Sequence, residues 1–446
     1  MSAAEPSPEL VDALVEWLRI PSVSGERADA PALERAAGWV VERVRNAGGE
    51  AEVVATSGNP LAVGELRARR ADAPTVLVYA HYDVQDPGPP ERWTSPPFEP
   101  EVRDGRLYGR GTADDKGNAY PLLHVACALA REGDLPVHVR VLVEGEEESG
   151  GTSAAQWLAA DERGADCAVV WDAGMADART PALTLGLRGM VRVALRVRAA
   201  ERDLHSGLYG GAALNAVHAL HTMLGAVLPG SDGRLRPELR AGVSPPRPEE
   251  LESWERLAPG ADVLAEAGGR PADPSAASEL YARTGAGASL DVNWIEAGEP
   301  RTIVPALARA ALSLRLAPGQ DGARVAGALG DLLRAAAPAG ADVELDSEWT
   351  APALFEPGLP AIRLAGAAFE RACGVPTALV RSGGSIPIVA AFAARGLPTV
   401  VSGFSLPADR IHSPDESYRL ESLAMGERAA RELYAALSEL PAGDPG

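Results

Sequence analysis

Three β-rich, largely apolar runs, Thr75 to Ala80, Val137 to Val143 and Ala168 to Trp171, each give way at once to polar groups. The exits are His81 and Asp83, then Glu144 to Glu148, then Asp172. Short runs of this kind read as strands covered on both faces. Helical patterns at Asn118 to Arg131 and Thr152 to Ala160 fall between them. Strands alternating with helices predict an α/β class, a mostly parallel central sheet flanked by helices. Open sheets of this type bind ligands at the carboxyl ends of their strands, so the three polar exits are expected to converge on one rim.

The rest of the chain arranges itself around that sheet. Leu10, Val11, Leu14, Val15, Trp17 and Leu18 follow helical spacing, with Ser7 as the natural N-cap and Pro8 at the first helical position. After Leu187 the pattern becomes an alternating strand (Val191 to Val197), a helix (Leu214 to Leu228), a strand (Ile303 to Leu316) and a helix (Gly322 to Ala336). That order predicts a compact α+β insertion over 188–348, between a first part (1–187) and a second part (349–446) of one larger domain. Pro237 to Glu250 and Pro259 to Gly287 read as long loops broken by short helices, and a last helix is expected from Leu420 to Leu440.

Composition removes several classes of function. Across 446 residues, 42 basic side chains face 62 acidic ones, a net charge of −20. Such a surface repels a phosphate backbone or an anionic membrane, so neither nucleic acid nor membrane is an expected partner. Cys127, Cys167 and Cys373 stand far apart, which suggests neither a disulfide framework nor a thiolate zinc site. Met1 to Val11 lacks the basic and apolar stretches of a signal peptide, and the histidines and glycines within Leu204 to Ser231 spoil it as a membrane span. The cytoplasm is the expected compartment.

The polar exits carry residue types suited to metal chemistry. In Val76-Leu-Val-Tyr-Ala-His81-Tyr-Asp83 an extended chain points His81 and Asp83 to one side. A metal-bound histidine commonly donates its other ring N–H to a carboxylate, a part Asp83 can take. In Gly109-Arg-Gly-Thr-Ala-Asp114-Asp115-Lys116-Gly117 the glycines fit no phosphate-loop pattern, and adjacent aspartates repel unless a cation compensates. Asp114 is the candidate ligand there, and Asp115 is expected to be an N-capping residue. Lys116 is the only lysine in the chain, which suggests a position that needs a compact ammonium. Glu144-Gly-Glu146-Glu147-Glu148 follows a buried strand, and neighbouring glutamates can supply both a ligand and an unligated general base. Asp172 and His412 complete a set of imidazoles and carboxylates, donors that suit Zn²⁺ or Mn²⁺.

As a whole these motifs resemble the two-metal hydrolase family of aminoacylase, succinyl-diaminopimelate desuccinylase, glutamate carboxypeptidase and the carnosinase-type dipeptidases. The resemblance covers nearly the whole chain, with its elements in the same order. It implies that Asp114 bridges two divalent ions, zinc first with manganese or cobalt as alternatives. Glu148 and His412 would complete one site, and His81 and Asp172 the other. It makes Glu147 the general base and Asp83 the orienter of His81, and implies a cis peptide after Asp114. Tyr82-Asp83-Val84-Gln85, Gly186-Leu-Arg188-Gly189, Asp203-Leu-His205-Ser-Gly-Leu-Tyr-Gly-Gly and Arg381-Ser-Gly-Gly-Ser385 look like the dipeptidase branch in particular. By that likeness His205 stabilises the oxyanion, and Thr302, Arg315 and Ser385 hold the substrate's terminal carboxylate. The insertion would serve as a lid and as the contact of a homodimer.

The expected activity is hydrolysis of the peptide bond of dipeptides or short peptides by a metal-bridging water, with Glu147 moving the proton. One rival is deacylation of N-acyl amino acids. The others are a binding protein that kept the fold, which should lack a ligand or the base, and a metal-stabilised structural protein, which would need no unligated Glu147.

Overall fold

The computed structural model describes residues 5–441. The first four residues, part of the segment read against a signal peptide, and the last five of the Pro/Gly tail lie outside it. Within it the chain divides into two compact units. One holds the described residues up to Leu185, with Phe355–Val380 and the described residues from Ile386 on; the other holds Gly186–Leu354 with Arg381–Ser385.

In the first unit, uninterrupted apolar sequence places Thr75–His81 and Cys167–Trp171 inside a six-stranded sheet, where both strand faces are covered. The order is Glu50–Val54, Leu61–Leu66, His138–Glu144, Thr75–His81, Cys167–Trp171, Thr399–Ser402. The last four strands are mutually parallel, while Leu61–Leu66 pairs antiparallel with both its neighbours. This is the helix-flanked, mostly parallel α/β sheet expected. Register does the positioning: Val78 lies opposite Val141 on one side and Val169 on the other, and His81 ends level with Glu144.

Helices cover the sheet. Pro8–Leu18 buries Leu10, Ala13, Leu14, Trp17 and Leu18, and Trp17 stacks on Trp39 of helix Ala30–Asn46 with ring centroids 5.0 Å apart. Ser7 stands at the N-cap as expected but makes no capping bond. Its hydroxyl donates instead to Glu427 Oε1 at 2.6 Å and its amide to Glu427 Oε2 at 2.9 Å, which turns the side chain towards Glu427. Lys116 opens the helix Lys116–Glu132 and is fully buried; its Nζ donates to Trp17 O at 3.1 Å and Ile20 O at 3.0 Å. Burial pushes its ammonium down to about 7.

The second unit is an antiparallel sheet in the order Ser289–Ala297, Leu307–Leu316, Gly189–Arg198, Asp342–Thr350. Strict alternation buries Val191, Val193, Leu195 and Val197 on one face, against Ala219, Leu220 and Met223 of helix Ala216–Gly225 and Leu329 and Leu333 of helix Gly322–Ala335. The single strand expected from Ile303 to Leu316 is broken into Ile303–Val304 and Leu307–Leu316. Pro305, which has no N–H to donate to a ladder, stands in the gap. Among the described residues no helix is long and apolar enough to cross a membrane.

Candidate metal centre

The strand Thr75–His81 delivers His81 to the rim with no exposure at all. Its Nδ1 lies 3.0 Å from the carbonyl oxygen of Asp83. A carbonyl can only accept, so Nδ1 carries the hydrogen and Nε2 presents a lone pair. The bond fixing the ring thus goes to the backbone of Asp83, with the carboxylate Oδ1 at 3.4 Å as a further electrostatic partner. The other oxygen, Oδ2, accepts from Ser24 Oγ at 2.7 Å and from the amide of Glu148 at 3.1 Å. One buried aspartate therefore ties the histidine strand to the glutamate turn.

Asp114 and Asp115 sit in the turn before helix Lys116–Glu132, joined by a cis peptide as the resemblance implied. Asp115 corrects its expected role. It occupies the N-cap position but makes no capping bond and is fully buried, accepting from the amide of His81 at 3.4 Å. A carboxylate drawn into the interior next to the His81 strand is not free to fold back over its own helix.

Two triads of donor atoms form around Asp114. His81 Nε2 lies 3.2 Å from Asp114 Oδ1 and 4.0 Å from Asp172 Oδ1. His412 Nε2 lies 2.9 Å from Asp114 Oδ2 and 3.1 Å from Glu148 Oε2. In each set of three the ligand atoms lie within 4.8 Å of one another, and Asp114 is common to both. An ionised carboxylate can only accept, so between these oxygens and the imidazole nitrogens a proton or a cation must lie. His81 Nε2 and Glu148 Oε1 are buried without a hydrogen-bond partner.

Electrostatics points the same way. Burial lowers the His81 imidazole, but Asp114 and Asp83 outweigh it and hold the ring well above its usual value. Asp114 and Glu148 raise His412 to about 10. Burial, reinforced by Asp115, keeps the Asp172 carboxyl well above the carboxylate range. A cluster that holds protons this tightly lacks positive charge, and its donor set of two imidazoles and three carboxylates fits a pair of divalent cations.

Glu147 belongs to neither triad. It stands at the start of the short helical turn Glu147–Ser149, beside Glu148. Burial and the carboxylates of Glu148, Asp114 and Asp83 push its carboxyl up to about 7.

The remaining candidates lie in the second unit and fall into two pairs. Arg315 Nη1 donates to Ser385 Oγ at 3.4 Å, and the Ser385 hydroxyl donates to the carbonyl of Arg188. His205 is exposed, its Nδ1 accepting the amide of Gly207 at 3.1 Å. Thr302 is joined to that turn by its backbone: its carbonyl accepts from the amide of Ser206 at 3.1 Å and its hydroxyl at 2.8 Å.

Several supporting residues carried no signal of their own in the sequence. Gln85 donates to Glu148 Oε2 at 3.0 Å and stands in a stretch already singled out, but as part of a pattern rather than with a role. Tyr79 donates to the buried Glu144 at 2.5 Å. Ser24, 59 positions from the Asp83 it holds, had nothing to mark it.

The model of the family described as Peptidase family M20/M25/M40 matches residues 77–436. The Cysteinylglycine-S-conjugate dipeptidase of Corynebacterium striatum is 30% identical over 413 residues, covering 88% of each chain. The Beta-Ala-His dipeptidase of Rattus norvegicus is 28% identical over 267 residues, covering 56% of this chain and 54% of that one. Among solved structures, the M20 family metallo-carboxypeptidase Sso-CP2 from Sulfolobus solfataricus superposes with a TM-score of 0.86 at 23% identity, over 97% of this chain and 100% of that one. At that identity the superposition speaks for the fold.

Proposed function

The chain belongs to peptidase family M20/M25/M40, and we propose that it is a dinuclear metallopeptidase that cleaves the peptide bond of dipeptides with a free carboxyl group. The observation that carries this is the pair of triads sharing Asp114, with Glu147 beside them and in neither. We assign His81 and Asp172 to one ion, Glu148 and His412 to the other, and Asp114 to both, with zinc as the ion these donors suit best.

A pair of ions held by these residues would supply Lewis-acid polarisation of the scissile carbonyl and a lowered pKa for the attacking water. Glu147, pushed up to about 7, has the proton affinity a base needs near neutral pH. It takes the proton of the attacking water and returns it to the departing amine. Asp83 keeps the His81 ring in the tautomer that leaves Nε2 free. In the second unit we assign the oxyanion to His205, and the substrate's carboxylate to Arg315 with Ser385 and Thr302, since a guanidinium pairs well with a carboxylate. The named relatives are dipeptidases, which supports a two-residue substrate. We further propose a homodimer formed through the second unit and a cytoplasmic location, with neither nucleic acid nor membrane as partner.

Stripping the protein with a chelator, reloading it with Zn²⁺, Mn²⁺ or Co²⁺, and assaying dipeptides beside N-acetyl amino acids tests the proposal. Two bound ions and dipeptide turnover are expected. Turnover of N-acetyl amino acids alone would replace the reading by a deacylase, and no turnover with both ions loaded would replace it by a binding protein. A His205 variant mixed with an inactive Glu147 variant regains partial activity if the second unit serves its partner's site; no recovery rules that arrangement out.

A further inference from the structure

Glu416, four residues beyond His412, is fully buried, and four donors converge on its carboxylate. Arg110 Nη1 donates at 2.5 Å, and the backbone amides of Gly111, Ala113 and Asp114 donate at 3.1, 2.8 and 3.2 Å. Its own carbonyl accepts from the amide of Gly109 at 3.0 Å. Successive amides aimed at one point make a concavity for an anion, and here the anion is a side chain of the chain itself. Its charge is matched by the buried Arg110 guanidinium, so what it contributes to the rim is chiefly geometry.

That geometry joins two turns distant in sequence. One turn presents Asp114; the other, 409–416, presents His412, and Asp114 Oδ2 and His412 Nε2 end 2.9 Å apart. The second turn needs holding. Arg410, His412 and Asp415 have φ of 61°, 60° and 59°, left-handed backbone that L side chains adopt only at a cost. Asp415 accepts from the amide and hydroxyl of Thr94 at 2.7 and 3.0 Å, and Asp409 from the amide of Leu406 at 2.6 Å. Those contacts fix the turn to its immediate surroundings, whereas Glu416 bonds to the backbone of Asp114 itself.

We propose that Glu416 is a positioning residue that sets the spacing between Asp114 and His412, and through it the affinity of the ion site these two share with Glu148. The proposal rests on the dinuclear reading above. In Glu416→Gln the side chain keeps its length, but its amide turns a donor towards donors and leaves Arg110 without its carboxylate. In Glu416→Asp the charge stays and the arm is too short to meet all three amides.

The test titrates metal-free wild type and both variants with Co²⁺ alone, by calorimetry and visible absorption, with circular dichroism to establish folding. Wild type is expected to bind two ions. In the variants one of the two sites loses roughly 10- to 100-fold in affinity, the scale typical of a removed ligand support, and its visible band changes. Should Glu416→Gln fail to fold, the shorter but still charged Glu416→Asp decides. A lowered melting temperature with both Co²⁺ affinities and the spectrum unchanged in a folded variant would overturn the proposal, because that is the mark of a purely structural role. Fewer than two ions on wild type would instead bring down the dinuclear reading, and the proposal with it.

Discussion

Replacing Glu147 by Gln keeps the side chain's size and removes the base alone. A general base of this kind is worth roughly 10²- to 10⁴-fold in rate. At about 1.4 kcal/mol per decade that is about 3 to 5.5 kcal/mol of barrier, and it should appear in kcat with KM within a few-fold, since the proton moves in the transition state. Metal content should stay at two, because Glu147 lies outside both triads. The metal-free protein supplies an independent check. There the Glu147 carboxyl rises from its ordinary 4.5 to about 7, so the folded state binds the proton more tightly than the unfolded chain. An acid raised in this way costs stability progressively as pH climbs from 4.5 to 7, on the order of 3 kcal/mol in full at higher pH. Metal-free Glu147→Gln should therefore unfold at higher urea than wild type at pH 7.5, with the gap closing towards pH 4.5. Steady-state kinetics, metal analysis and urea unfolding read all three; a kcat within tenfold of wild type, or the loss of an ion, would refute the assignment.

In the second unit Arg381 and Glu250 form a bidentate pair at 2.6 and 2.8 Å, each side chain 1% exposed. Arg381→Met alone should destabilise by about 3 to 5 kcal/mol, and adding Glu250→Met should restore part of it. A single variant costing under about 1 kcal/mol would show the desolvated charge to be wrongly placed. At the metal centre, His412 raised to about 10 is protonated at neutral pH without metal and must lose that proton to bind one. Loading at pH 7 is thus expected to release at least one proton, seen as a buffer-dependent heat in calorimetry; a buffer-independent heat would count against His412 as a ligand.

Three of the six strands of the first sheet, and their polar rim, were legible because apolar runs ending in histidine and carboxylates state both where a strand is buried and where it stops; Glu50–Val54, Leu61–Leu66 and Thr399–Ser402 were not foreseen. His81, Asp114, Asp172 and His412 stood out only as a set gathered at one rim, and the choice of Glu148 among its neighbouring glutamates came from the family resemblance; the structure brings the donor atoms of each triad within 4.8 Å of one another. The strands Ser289–Ala297 and Asp342–Thr350 were not foreseen. Both are edges of the second sheet, and DVELDSEWT exposes most of its residues, so it carries little apolar signal. Asp115 misled because local propensity favours an N-cap, while the tertiary fold buries the carboxylate beside the His81 strand. The supports of the site, Ser24 to Asp83 and Glu416 to Asp114, span 59 and 302 positions, and no local pattern encodes such a pairing.

The lone lysine gives the molecule a native chemical reporter. Acylating reagents attack uncharged amines, and burial pushes Lys116 down to about 7, a fall that lasts only while the side chain stays buried. It is walled in, its nitrogen held by the carbonyls of Trp17 and Ile20. Modification of this side chain can proceed only as fast as the first helix lifts away from the helix Lys116–Glu132. No other ε-amine competes for the reagent, so the labelling rate at that position times this opening in otherwise folded protein.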